Sequence, residues 1–224
     1  MSTSGSGSAD TAEDWNNGSY AAAMHARRGD LSLRDADGWC CPLDVERWCA
    51  RADAGDHAVL RRCKGRVLDI GCGAGRLVEA LLHRGHCALG IDVSPSAVIT
   101  TVRRGGAALR RSVFDPIPDE GTWGTALLID GNIGIGGDPC RLLRRIRDLV
   151  HGHGLLIVET ASGDADERRR VRIHAGQHAV SGVFPWAVVG AAALGRYAQV
   201  SGWRTVERWT AGERRHFVAL RARR

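Results

Sequence analysis

The stretch VLDIGCGAGRL (67–77) is an apolar run that reaches the carboxylate of Asp69 and then breaks into glycines at alternate positions, Gly71, Gly73 and Gly75. Three further acids follow: Asp92 closing CALGIDV, Asp115 in SVFDPIP and Asp130 in TALLIDGNIG. A glycine turn between a strand and a helix lets a ligand approach bare backbone at the helix N-terminus. A phosphate-binding loop of this kind ends in Gly-Lys-Ser or Gly-Lys-Thr, which is absent. A dinucleotide turn is spaced G-x-G-x-x-G, whereas the spacing here is G-x-G-x-G, and Asp69 would repel a pyrophosphate. The same carboxylate suits a ligand carrying an ammonium and a sulfonium group, so charge favours S-adenosylmethionine. Asp92 is placed to accept both hydroxyls of a ribose, which either ligand supplies. Asp115 is placed to accept the adenine amino group with Val113 and Phe114 beside the ring, or else it serves only as a turn residue before Pro116.

These acids do chemistry together only if strands bring their ends to one edge. RVLDIG, CALGIDV, ALRRSV, TALLID and GLLIVET read as strands, alternating with helices in GRLVEALLHRG, SPSAVITTVRR and DPCRLLRRIRDLV. Ser94 and Asp138 are suited to cap the last two helices, and Pro95 fits a first helical turn. This alternation predicts an α/β fold: a mostly parallel, seven-stranded Rossmann-like sheet with helices on both faces. RTVERWTAGERRHFVAL predicts a closing antiparallel hairpin around the turn TAGE. Residues 161–185 are polar, basic and turn-rich and read as an insertion over one edge of the site, followed by a helix over WAVVGAAALGRYAQVSG. Upstream, residues 1–18 read as a disordered tail and residues 19–60 as a helical lid, with short helices in DVERWCARA and DAGDHAVLRRC after an irregular stretch. Residues 61–224 then form the ligand-binding domain.

With these motifs in place the chain resembles the class I S-adenosylmethionine-dependent methyltransferases over about residues 60–224. VLDIGCGAG looks like the family's first motif, GIDVS its second-strand acid, SVFDPIP its adenine-side motif and TALLIDGNIG the segment after the fourth strand. PLDVERWC with LLIDGNIGIGGDP also looks like a group of actinobacterial methyltransferases. The resemblance implies that Asp69, Gly71, Cys72, Gly73 and Gly75 cradle the methionine part, Asp92 and Val93 the ribose, and Val113, Phe114 and Asp115 the adenine. It places Asp130 and Gly131 beside the sulfonium. Cys72 reads as a small filler that offers its backbone.

Methyl transfer needs alignment and exclusion of water, and a general base only where the nucleophile must lose a proton. Asp130, His174 and His178 are the candidates for that role, with Asp44 and Glu46 behind them; each has an ordinary alternative as a turn, cap or solvated residue. Trp39, Trp48 and Trp186 could wall an acceptor pocket or simply fill core. The acceptor expected is a small molecule, methylated at oxygen, nitrogen or carbon. An RNA or protein acceptor, a non-catalytic binder, a different transfer from the same cofactor and a nicotinamide dehydrogenase are the competing readings.

Composition narrows the field. The net charge of +6 comes from 30 arginines against the single Lys64, a bias that resembles GC-rich coding more than a nucleic-acid surface. No apolar run approaches a membrane span, and the N-terminal residues lack a secretory signal's apolar segment, which predicts a cytoplasmic protein. The seven cysteines are scattered, and Cys40, Cys41, Cys49 and Cys63 fit no structural zinc spacing, so no metal is expected.

Overall fold

The computed structural model describes residues 14–212 and 215–223. From Val67 onward, short buried runs and capped helices alternate as the patterning requires. The strands are β3 (Val67–Ile70), β4 (Ala88–Asp92), β5 (Ala108–Arg110), β6 (Trp123–Leu128) and β7 (Val150–Thr160), with β11 (Trp203–Ala211) and β12 (Arg215–Ala222) at the C-terminus. They form one sheet in the order β11-β12-β7-β6-β3-β4-β5. β7, β6, β3, β4 and β5 run parallel, and β12 lies antiparallel to both β7 and β11. Such a sheet is buried on both faces. On one side Leu68, Ile70, Leu128, Leu156 and Val158 pack with Leu142 and Ile146; on the other, Val67, Leu127 and Ile157 pack with Leu77, Val78 and Leu81.

The covering helices are α4 (Arg76–Leu82), α5 (Pro95–Arg103), α6 (Pro139–Leu149) and α7 (Ala191–Val200). Ser94 caps α5 by accepting from the Ala97 N–H, and Asp138 caps α6 by accepting from the Arg141 N–H. Each ends the preceding loop at a fixed point, and such a cap is worth about 1 kcal/mol.

The N-terminal third and the segment before α7 depart from the patterning read from sequence. Helices α1 (Gly18–Ala26), α2 (Val45–Cys49) and α3 (Ala54–Leu60) are present, but strands β1 (Leu31–Arg34) and β2 (Cys40–Leu43) lie between the first two. The segment expected to be an irregular insertion contains β8 (Asp166–Ala175), β9 (His178–Ala179) and the start of β10 (Phe184–Val189). These strands pair with β1 and β2 in a second sheet, ordered β10-β8-β1-β2 with β9 on β8. The helix expected from Trp186 starts only at Ala191, because residues 184–189 hydrogen-bond to β8. β8 was obscured by its arginines: Val171 and Ile173 alternate inward onto Leu31, Leu33 and Phe184, while charged residues fill the intervening positions. Pro42 and Pro185 sit in β2 and β10, the two edge strands, where a missing N–H costs least. Of the expected tail, residues 1–13 lie outside the described residues. Asp14 is buried, and Asn17 caps α1 by accepting from the Tyr20 N–H.

Candidate functional site

The ends of β3, β4 and β6 meet the second sheet across a cleft that encloses about 960 Å³ together with its open mouth. Its floor is the turn between β3 and α4. Gly71, Gly73 and Gly75 all have positive φ, at 70°, 52° and 80°. Two of the three are also sterically required. A Cβ on Gly71 would lie 2.5 Å from Asn132 Nδ2, and one on Gly75 would lie 2.5 Å from Thr101 Oγ1, whereas the space beside Gly73 is open. Asn132 secures this floor by donating through Nδ2 to the carbonyls of Ile70 (2.9 Å) and Gly71 (3.0 Å).

Asp92 lines the cleft at the end of β4 and accepts from the Gly73 and Ser94 N–H groups, each at 2.9 Å. Burial raises its pKa, and those N–H bonds oppose the rise. Val93 and Val113 continue the wall from Asp92. Asp115 lies in an adjoining depression with Val93, Arg111 and Ser112, and accepts from the Ser112 N–H at 3.0 Å. Phe114 is turned away: its ring lies beneath the Arg141 guanidinium, 4.3 Å from the centroid, and beside Gly136. Cys72 lines the cleft, with its sulfur packed near Gly90 and Thr101 and its thiol pKa raised by burial, so it is a filler and not a nucleophile.

Asp69 sits beneath the turn, 2% exposed, and its Oδ2 meets no hydrogen-bond donor among the described residues. Burial pushes its pKa up to about 7; Arg76 pulls it down, while Asp130, Asp92 and Asp56 push it further up. Asp69 does not itself line the cleft, but a buried carboxylate left short of partners beneath the turn is one that a nearby cation would stabilise.

Arg76 is the residue sequence reasoning missed. It opens α4, where a cation opposes the helix dipole, so its presence there signals a partner elsewhere. The partners are Asp56, held by two bonds of 2.9 and 3.1 Å, and Asp130, at 2.7 Å. Arg47 of α2 reaches Asp130 at 2.5 Å, and Arg215 of β12 reaches Asp56 at 2.9 Å and Glu159 at 2.8 Å. Asp130 is therefore clamped. Burial alone would raise its pKa, but Arg76, Arg47 and Arg215 overcome that and hold it below the usual carboxylate range. It has positive φ (58°), as has Gly131 beside it (82°), and its backbone N–H donates to Glu159. This is a poor environment for a general base at neutral pH. Its evident role is to tie α2 to the floor.

The other proposed bases are not in the cleft. His174 falls on the face of β8 opposite Ile173, paired with Ser32, so strand alternation turns it away; His178 pairs with Ala175 on the Ile173 face but is exposed on β9 and does not line the cleft. Asp44 caps α2 by accepting from the Arg47 N–H, and Glu46 is exposed in its first turn. Of the three tryptophans, Trp48 and Trp186 line the cleft, while Trp39 stacks under Arg169 on the second sheet. The roof also includes Trp15, Tyr20 and Phe184, which the sequence did not mark as site residues. Trp15 packs on Tyr20, Phe184 and Trp186 at centroid distances of 5.3, 5.8 and 6.2 Å. Trp186 in turn rests against Gly134, where a Cβ would be 2.4 Å from the indole. Among the described residues no group of three His, Cys, Asp or Glu side chains is arranged to hold a metal, and no helix is long and apolar enough to cross a membrane.

Comparison with known proteins fits this geometry. A family model described as a methyltransferase domain matches residues 46–208. A methyltransferase from Bacteroides fragilis, crystallised with S-adenosylhomocysteine, is 21% identical and superposes with a TM-score of 0.77 over 95% of this chain and 96% of its own. The Burkholderia thailandensis 1,6-didemethyltoxoflavin N1-methyltransferase, crystallised with that substrate and S-adenosylhomocysteine, is 20% identical with a TM-score of 0.59 over 81% of this chain and 82% of its own. An Azorhizobium caulinodans ubiquinone biosynthesis O-methyltransferase is 31% identical over 111 residues, 47% of this chain and 44% of the relative. The chain thus spans under half the length of that curated relative. With most of its length matched by the family model, the chain belongs to the class I methyltransferases, whose methyl donor is S-adenosylmethionine.

Proposed function

We propose that this methyltransferase moves the methyl group of S-adenosylmethionine to a small molecule that enters between the glycine floor and the aromatic roof. The observation that carries the reading is the cleft itself: its floor is the bare turn Gly71–Gly73 with Asp92, and its roof, from Trp15 to Trp186, closes over it. A covered cleft suits a small acceptor better than a polymer. In this reading the turn and Cys72 hold the methionine part, with Asp69 beneath it as counter-charge. Asp92 accepts the ribose hydroxyls while Val93 and Val113 flank the adenine, and Asp115 borders the adenine end. Gly131, beside Asp130, leaves room near the sulfonium. A structural neighbour with a named small-molecule acceptor adds support.

The chain's own part in the step is to align donor and acceptor and to keep water out. The leaving group is a neutral thioether and needs no acid. Calorimetric titration with S-adenosylmethionine, S-adenosylhomocysteine and NAD tests the reading at its base. Micromolar binding of the two adenosyl ligands and none of NAD is the expected result; binding of neither adenosyl ligand would refute it.

A further inference from the structure

Five of the chain's twelve aromatic residues line this one cleft. Its acceptor side is built from Trp15, Trp48, Phe184 and Trp186 with Leu43 and Ile135, a set of flat and apolar surfaces. Stacking between such rings favours a planar partner.

The titratable side chains that line the cleft are Tyr20, Cys72, Arg76, Asp92, Arg111 and Asp130. None suits a base at neutral pH. Asp130 is clamped by Arg76 and Arg47, Asp92 accepts backbone N–H groups at the opposite, ribose-facing end, and burial keeps Tyr20 and Cys72 protonated. Arg76 is already shared between Asp56 and Asp130, so it is not free to hold an acceptor's anion, and Arg111 lies with Val93, Ser112 and Asp115, away from the aromatic side.

Of the neutral polar side chains, Ser112 accepts from the Phe114 N–H beside Val113 and the Tyr20 phenol is buried, whereas Asn132 stands next to the glycine turn. Asn132 lines the cleft and commits Nδ2 to the carbonyls of Ile70 and Gly71, which assigns its amide orientation and leaves Oδ1 as its other polar atom. Among the described residues no donor meets that oxygen. It can accept one N–H from a substrate, but it cannot take the proton.

Building on the methyl-transfer reading, we infer that the acceptor is a flat aromatic or heteroaromatic amine, stacked against the tryptophans and oriented through an N–H to Asn132 Oδ1. An aryl amine is uncharged at neutral pH and offers its lone pair directly; an alkyl amine or a hydroxyl must first lose a proton. In the transfer, the nitrogen lone pair forms the N–C bond as the C–S bond breaks. The pair from that bond stays on sulfur, which leaves as the thioether of S-adenosylhomocysteine. The nitrogen, now cationic, regains neutrality by releasing its proton to water at the cleft mouth.

The test is a matched panel at pH 7 with S-adenosylmethionine: aminoquinoline, hydroxyquinoline, cyclohexylamine and glucosamine, scored by S-adenosylhomocysteine release and product mass, beside calorimetry of the cofactor. The expected result is methylation of aminoquinoline with kcat/KM about tenfold or more above each of the others, a single decade of discrimination. Cofactor binding with equal or faster turnover of hydroxyquinoline, cyclohexylamine or glucosamine overturns the inference while sparing the methyl-transfer reading. Cofactor binding with no turnover of aminoquinoline overturns it likewise. Failure to bind the cofactor removes both.

Discussion

The floor and the roof of the cleft are made in opposite ways. The floor is local: from Asp69 to Asp92 a single strand-turn-helix-strand unit supplies the glycines, the helix start and the acid that ends β4. The roof is assembled from distant pieces, with Trp15 and Trp48 from the N-terminal segment and Phe184 and Trp186 from β10, joined through β1, β2 and β8. A local floor fixes one ligand geometry, whereas a composite roof can vary its side chains while leaving the turn beneath intact. The division predicts that floor substitutions remove the cofactor and roof substitutions change the acceptor.

The largest effect belongs to Asp92→Ala. It deletes the carboxylate that accepts from the Gly73 N–H and that the proposed reading sets against the ribose hydroxyls. Hydrogen bonds to a charged group contribute about 1.5–3 kcal/mol each, so losing two corresponds to roughly a 100-fold or greater loss of affinity. Calorimetry with S-adenosylmethionine reads it directly. Near-normal affinity in this variant would break the assignment of the floor.

Arg76→Met attacks the joint between the two regions. It leaves Asp56, which is 1% exposed, and Asp130 short of their main partner, although Arg47 and Arg215 remain nearby. Removing one member of a buried ion pair costs about 3–5 kcal/mol. Urea denaturation should show that loss in the ligand-free protein, and a change under 1 kcal/mol would mean that the other two arginines carry the network.

These two predictions also mark what was legible in the sequence. Asp92 could be found because a β-strand ending in an acid, at the right distance from a glycine turn, is a local pattern. The parallel sheet and the terminal hairpin were readable for the same reason: each rests on periodicity within a few residues. Arg76 carried a local hint, a cation at a helix start, but its partners lie on α3 and in the loop after β6, and no spacing rule connects them. β8 was hidden because the stems of its arginines occupy strand positions where the eye expects apolar residues, leaving only Val171 and Ile173 as its signature. Trp15 lay at the end of a polar stretch with nothing local to distinguish it from the tail. Its packing on Phe184 exists only once β10 has joined the second sheet. His174 and His178 lie in the segment read as a substrate cover; strand alternation turns His174 off the Ile173 face, and His178 is exposed on β9 outside the cleft.

A smaller, graded effect comes from pH. Asp69 has a folded pKa of about 7, above its unfolded value, so the native state binds a proton that the unfolded chain has already released between about pH 4 and 7. Its contribution to stability is complete below the unfolded pKa and is lost as pH rises through about 7. Asp56 and Asp130 act in the opposite sense, since their pKa values are lowered; their contribution is already present above about pH 4 and falls away only in acid. The ligand-free protein should therefore lose stability between pH 5 and pH 8, and Asp69→Asn should flatten that slope. A wild-type slope unchanged by Asp69→Asn would place the titration on another group.

The mildest change sharpens the comparison most. Trp48→Leu trims one panel of the roof, on α2, without touching the glycine turn or Asp92. An aromatic contact of this type is worth about 0.5–1.5 kcal/mol beyond its burial, which corresponds to a roughly 2- to 12-fold rise in KM for a stacked acceptor. Affinity for S-adenosylmethionine should stay within about twofold of wild type, because the proposed reading puts the cofactor's polar partners on the floor. If the variant instead weakens cofactor and acceptor together, the indole covers the adenosyl ligand, and the boundary between the two regions must be redrawn so that α2 belongs with the floor. A rise in acceptor KM alone would locate specificity in the part of the molecule that the chain builds from its most distant segments.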